Sequence, residues 1–165
     1  MAPMYLAGFI LALFFSVLLL LKRGKNRQDC WLSLFFMNLC LQFLFLYSDI
    51  TGFSQGRNYM VLFDIVHWTL IGPLLFLYVR QVIYPNRALR MADLVHLLPL
   101  ALVLLTYGDY ILTRMGNTPF TEYYQAHRGN PTLFIGSMVW GFSCVFYYVL
   151  SIVLMYRQRK RMVDF

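Results

Sequence analysis

Gly52-Phe53-Ser54-Gln55-Gly56 matches the G-x-S-x-G pattern of serine hydrolases, and Asp64 and His67 follow it in hydrolase order. That pattern works where a strand-turn-helix exposes the serine above a sheet, beside an oxyanion hole. Here no strand precedes the motif and no oxyanion-hole segment is recognisable, so hydrolysis is not expected. A second arrangement is a set of polar residues within apolar sequence. Asn38, Gln42 and Asp49 fall on one helical stripe, at offsets of 4 and 7, and Asp64 and His67 stand three apart on a shared face. Polar groups in hydrocarbon are costly and seek one another. The two stripes are therefore expected to meet, either as an interhelical clamp or as a small polar cavity for a ligand or proton. Cys30, Cys40 and Cys144 show no CxxC and no histidine at metal-ligand spacing. No metal, disulfide or other cofactor is expected from them, and Walker, GxGxxG and HExxH motifs are absent from the sequence.

The elements that must hold these residues follow from composition. Of 165 residues, 60% are hydrophobic, 18% aromatic and 13% charged, and the mean hydropathy is +0.61. Soluble domains are about 45–50% apolar and roughly 25% charged, and a globule of this size cannot hide so apolar a chain from water. The expected fold class is all-α, a polytopic transmembrane helical bundle, because a lone strand in lipid leaves its backbone unpaired. A crossing needs roughly 17–25 mostly apolar residues. Five stretches qualify, at about 4–21, 30–48, 59–79, 93–112 and 132–156, forming a single transmembrane domain with no soluble domain.

Orientation follows from the basic residues. Segments 22–29, 80–92 and 157–165 hold four, three and four of the 14 Lys and Arg residues, and the alternate side holds Arg57, Arg114 and Arg128. The positive-inside rule then puts the N-terminus outside and the C-terminus in the cytoplasm. Residues 1–21 contain no Lys or Arg, so the first stretch reads as a retained span rather than a cleaved leader. The formal charge of +7 is a topology signal and a means of touching anionic lipid heads, not a nucleic-acid surface. Trp31, Tyr78, Tyr84 and Tyr156 are expected at the inner interface, and Tyr47, Tyr59, Tyr107 and Tyr110 at the outer one.

Smaller signals bear on packing. Gly8, Ala12 and Ser16 on the first span, and Ser137 with Gly141 on the fifth, predict close helix approach. Gly72-Pro73 predicts a kink in the third span and Pro99 one in the fourth. Arg80 closes the third helix near the cytoplasmic surface. Asp93 is placed to cap the fourth, and His96 follows one turn later within reach of it.

The stretch Ile71-Gly72-Pro73-Leu74-Leu75-Phe76-Leu77-Tyr78-Val79-Arg80, followed by Tyr84-Pro85-Asn86, Leu89-Arg90 and Asp93-Leu94-Val95-His96-Leu97-Leu98-Pro99, resembles a recurring membrane pattern. It is similar to the membrane sensor region of bacterial transcriptional regulators that carry a cytoplasmic AraC-type helix-turn-helix domain. Related membrane regions also precede sensor histidine kinases. The resemblance runs through to the basic end Tyr156-Arg157-Gln158-Arg159-Lys160-Arg161. It implies a non-catalytic sensory module of the bacterial inner membrane, acting as a homodimer. A stimulus at Asn38, Gln42, Asp49, Asp64 and His67 would move helices through a kink and coupling loop at Gly72, Pro73, Arg80, Asp93 and His96. Members of that family continue into further spans and an output domain. This chain stops at Phe165 without a helix-turn-helix, so it is expected not to bind nucleic acid itself and to act through a cytoplasmic output domain or protein. The alternative is a small transporter or channel lined by Asp64 and His67.

Overall fold

In the computed structural model the described residues are 2–24, 26–53, 59–86, 90–108, 110–114 and 120–163. All regular structure among them is helical: α1 (Ala2–Leu21), α2 (Arg27–Ile50), α3 (Tyr59–Ile83), a 3-10 stretch (Met91–Leu97) that runs directly into α4 (Leu98–Thr106), a π-helical turn (Tyr110–Arg114), α5 (Phe120–Ala126) and α6 (Pro131–Val163). Among the described residues four helical stretches are long and apolar enough to cross a bilayer, namely α1, α2, Ile65–Ile83 of α3 and Pro131–Arg159 of α6. These helices fit a membrane protein.

The stretch expected as a fourth span kinked at Pro99, 93–112, is built of shorter pieces. Asp93–Thr106 is apolar but too short by itself. Proline explains the break. Pro99 lies in the first turn of α4, where its missing N–H costs nothing. An α-helix continued back through Pro99 would need that N–H and would clash with the carbonyl four residues earlier. The chain before it tightens instead into the 3-10 form, with the Leu98 N–H bonded to the Val95 carbonyl. Pro73 behaves differently and sits inside the continuous helix α3.

Contacts along the helices give their directions. α1 and α2 form an antiparallel hairpin. Lys22 meets Asp29 at the turn, Ser16 meets Ser33 midway, and Gly8 lies against the ring of Phe43 at the far end. The small-residue stripe predicted on the first span, Gly8, Ala12 and Ser16, thus faces α2. Buried Ser16 and Ser33 each donate to the other's backbone carbonyl, at 3.1 and 3.0 Å. Interhelical polar contacts of this kind contribute about 0.6 kcal/mol on average in lipid. α3 packs on the other side of α2 and then on α6.

α3 and α6 run parallel. The Ser143 hydroxyl reaches the Thr69 carbonyl at 3.4 Å, Gly72 lies against Ser143, Cys144 and Tyr147, and Phe76 meets Tyr147 with ring centroids 5.8 Å apart. Partner numbers rise together along both helices. The Thr69–Ser143 contact has a cause in sequence: Pro73 has no N–H to give the carbonyl four residues before it, and a hydroxyl from the neighbouring helix supplies the donor. The stretch between α3 and α6 returns in the opposite sense. His96 meets Tyr147, whereas Thr106 meets Gly136.

At the far end of this return lies the apolar core of Ile65, Val103, Tyr107, Tyr110, Tyr123 and Leu133. Tyr107 and Tyr110 are buried in this core at 3% and 1% exposure. The small-residue stripe expected at Ser137 and Gly141 does not pack as expected: Gly141 meets nothing within 4 Å, and Ser137 bonds its own helix at Leu133. The close approaches on α6 are made by Gly136 and Ser143. The outward faces of α1, α6 and the return stretch are apolar, with Leu94, Val95, Leu98, Leu105 and Leu112 all exposed on the last.

Candidate functional site

The polar stripes of α2 and α3 meet at one point. Asn38 donates from Nδ2 to the His67 carbonyl at 3.0 Å, and its Oδ1 lies 2.8 Å from His67 Nδ1. With the amide nitrogen committed to a carbonyl, Oδ1 is the acceptor and the proton stands on Nδ1. Both residues are buried, and Phe45 flanks the imidazole with centroids 5.6 Å apart. Both ends of the Asn38 amide are therefore spent on one neighbour, which is the geometry of a clamp. Gln42 is buried one turn away. Asp49 does not join the cluster: it is exposed, just beyond buried Ser48. It shares the stripe in angle, but α2 has by then reached its end at Ile50. Asp64 stands on α3, but its side chain lies outside the described residues, as do Ser54, Gln55 and Gly56 of the serine motif.

A second cluster forms where α3 ends. Arg80 occupies its last turn and is only 6% exposed. Its Nη1 donates to Asp93 Oδ1 at 2.5 Å. The other carboxylate oxygen of Asp93 accepts the Arg90 backbone N–H at 2.9 Å, capping the 3-10 stretch. One carboxylate thus fastens the start of the return stretch to the end of α3. His96 lies one turn on and faces across the bundle. Its Nδ1 is 3.3 Å from the Tyr147 hydroxyl of α6, and its ring is 4.8 Å from that of Phe76 on α3. Gln81 holds the intervening turn by donating to the Pro85 carbonyl at 2.8 Å. Arg80, Asp93 and His96, 16 positions from first to last, are brought into one site that touches α3, the return stretch and α6.

A cleft of about 750 Å³ opens beside this cluster, lined by Phe76, Arg80, Ile83, Asp93, His96 and Leu154 among others. That is within the size of ordinary ligand sites. Its electrostatics are those of a buried ion pair. Removing both charges from water is costly, and breaking one partner leaves an uncompensated charge worth about 3–5 kcal/mol. The α1–α2 turn repeats the device in exposed form. Asp29 accepts the Asn26 N–H at 2.9 Å and pairs with Lys22 at 2.9 Å, but Lys22 is nearly half exposed. An exposed pair of that kind contributes at most about 1 kcal/mol.

Among the described residues no three of His, Cys, Asp and Glu come together to hold a metal ion. Cys40 is buried, Cys144 half-buried and Cys30 exposed, all as free thiols. Sequence reasoning singled out Arg80, Asp93 and His96 but missed Phe76 and Tyr147 as their partners. A signal for Tyr147 was present: it stands between Ser143 and Ser151, four positions away on either side along one face of α6, and all three are buried. Set against known proteins, the chain matches no protein-family model, no curated protein and no solved structure.

Proposed function

We propose that the chain is a five-crossing, non-catalytic sensory module of a bacterial inner membrane, with its N-terminus outside and its basic loops in the cytoplasm. The directions of α3 and α6 support the fifth crossing. Two parallel spanning helices must be joined by a passage back through the bilayer. The return stretch runs antiparallel to α6 and keeps an apolar outer face. Its 3-10 and α portions, at about 2.0 and 1.5 Å per residue, rise about 27 Å before the turn at Tyr107. A hydrocarbon core is about 30 Å thick. A re-entrant stretch in its place would put Arg157, Arg159, Lys160 and Arg161 outside, against the positive-inside rule.

The observation that carries the sensory reading is the cluster at the inner end of α3. Through Arg80–Asp93 and His96–Tyr147 it ties together α3, the return stretch and α6 at the end that the proposed orientation turns to the cytoplasm, and α6 leads straight from it to the basic end. A stimulus that shifts α3 against α6 changes this cluster, and the change passes to a cytoplasmic output domain or partner protein of a homodimer. The similarity to membrane sensor regions of AraC-type regulators points the same way. A transporter path finds less support, because Asn38 and His67 close on each other.

The test is a C-terminal reporter fusion read in cells. Asp93→Asn and Tyr147→Phe, at membrane levels equal to wild type, are expected to change reporter output at least about fivefold, the scale of a coupling near 1 kcal/mol. Output unchanged in both would refute the coupling role.

A further inference from the structure

The Arg80 guanidinium carries five N–H donors, and only Nη1 is engaged, by Asp93. Among the described residues no other acceptor reaches it. Yet the residue is 6% exposed and forms part of the wall of the inner cleft. Its other nitrogens are not among the buried atoms left without a partner, so they keep an opening, and the cleft is a space that the residue lines. An oxyanion with several acceptor oxygens would engage them as charge-assisted hydrogen bonds.

The surroundings narrow the oxyanion. Asn86 and Tyr84, both able to donate, stand at the cleft, and Phe76, Ile83 and Leu154 form an apolar side. Leu94 and Val95, next in sequence after Asp93, are exposed apolar residues. A small hydrated anion gains nothing from such a wall, whereas an acyl chain does. Arg80 ends α3 at the cytoplasmic face in the five-crossing reading, which is the depth of inner-leaflet headgroups. Charge is the last criterion. Arg80 and Asp93 cancel, and Arg90, at the cap of the same turn, leaves one positive charge in excess. Basic pockets between helices on this side of a membrane suit anionic headgroups.

We infer that the cleft binds an anionic phospholipid of the inner leaflet, with Arg80 donating to its phosphate oxygens and its acyl chain lying along Phe76, Ile83 and Leu154. The inference rests on the membrane orientation proposed above and not on signalling. A headgroup seated there takes the donors that Asp93 leaves unused, so it adds to the ion pair between α3 and the return stretch.

The purified chain in dodecyl maltoside micelles is titrated with phosphatidylglycerol, phosphatidylcholine or inorganic phosphate. Bound adducts are counted by native mass spectrometry, and the unfolding midpoint is followed by circular dichroism. Phosphatidylglycerol is expected to bind at least tenfold more tightly than phosphatidylcholine and to raise the midpoint, with inorganic phosphate at equal concentration doing neither. The double variant Arg80→Gln/Asp93→Asn, which removes both charges, is expected to lose at least tenfold in affinity. Should it fail to fold, Leu154→Trp blocks the apolar side without touching the ion pair and is expected to show the same loss. Equal binding of the two lipids overturns the proposal, as does an undiminished adduct in the folded variants. An equal effect of inorganic phosphate overturns the lipid as the source of the anion. The readout needs no signalling output, so a silent reporter with lipid selectivity intact counts only against the sensory reading.

Discussion

Replacing Gly72 with alanine probes the contact that makes α3 and α6 neighbours. A Cβ at position 72 would stand 3.0 Å from Tyr147 Cβ, 3.1 Å from the Ser143 carbonyl oxygen and 3.2 Å from Cys144 Cα. Two of these three atoms belong to the backbone of α6 and have no rotamer to escape into. Relief therefore requires the two helices to part by a few tenths of an ångström, loosening the Ser143–Thr69 contact beside it. Overpacking of this sort costs about 1–3 kcal/mol. Removing a glycine from a helix interior returns up to about 1 kcal/mol. The net expectation is a loss of about 0–3 kcal/mol, in which packing and propensity are mixed. Gly141→Ala supplies the reference, because nothing lies within 4 Å of a Cβ there and the propensity gain acts unopposed. The difference between the two variants cancels propensity and isolates packing, at about 1–3 kcal/mol against Gly72→Ala. Reversible unfolding in mixed detergent and dodecyl sulfate micelles, followed by circular dichroism, measures both. Equal shifts for the two variants would show that α3 does not lay its backbone against α6, and the parallel pairing would fall with it.

Three further outcomes are expected. Arg80→Gln should destabilise the bundle by about 3–5 kcal/mol, and adding Asp93→Asn to it should recover most of that; failure of the second change to rescue the first would mean that Arg80 acts through something other than its ion pair. A double-mutant cycle on Asn38→Leu and His67→Phe should give a coupling of about 0.6–1.7 kcal/mol, the range for polar contacts between membrane helices, and a value near zero would dissolve the clamp. In a chain whose native cysteines are replaced by serine, a cysteine at Asn130 should react with a membrane-impermeant maleimide in intact cells, and one at Gln28 or Gln158 only after permeabilisation. Reaction at Gln158 from outside would remove the fifth crossing.

Hydropathy is a property of each residue that adds along the chain, so the order of residues already shows apolar helices, where most of them run, and basic residues crowded into alternate connections. It also marked Arg80, Asp93 and His96, because a charge or imidazole next to a long apolar stretch stands out without any structure. The faces of those helices were not legible in the same way. In water an apolar stripe marks the buried side, but lipid is as apolar as leucine, so buried and exposed faces read alike. Hence Ser137 and Gly141 looked like a packing stripe when Gly136 and Ser143 make the approach. The break at Pro99 was visible as a residue, but its consequence, a 3-10 stretch feeding a short α4, depended on where the helix could restart. Only the tertiary structure set α3 beside α6 in parallel and carried Asp93 to Arg80 and His96 to Tyr147. Those pairings depend on rotation and register, which are settled by how whole helices fit together and are not carried by any single residue.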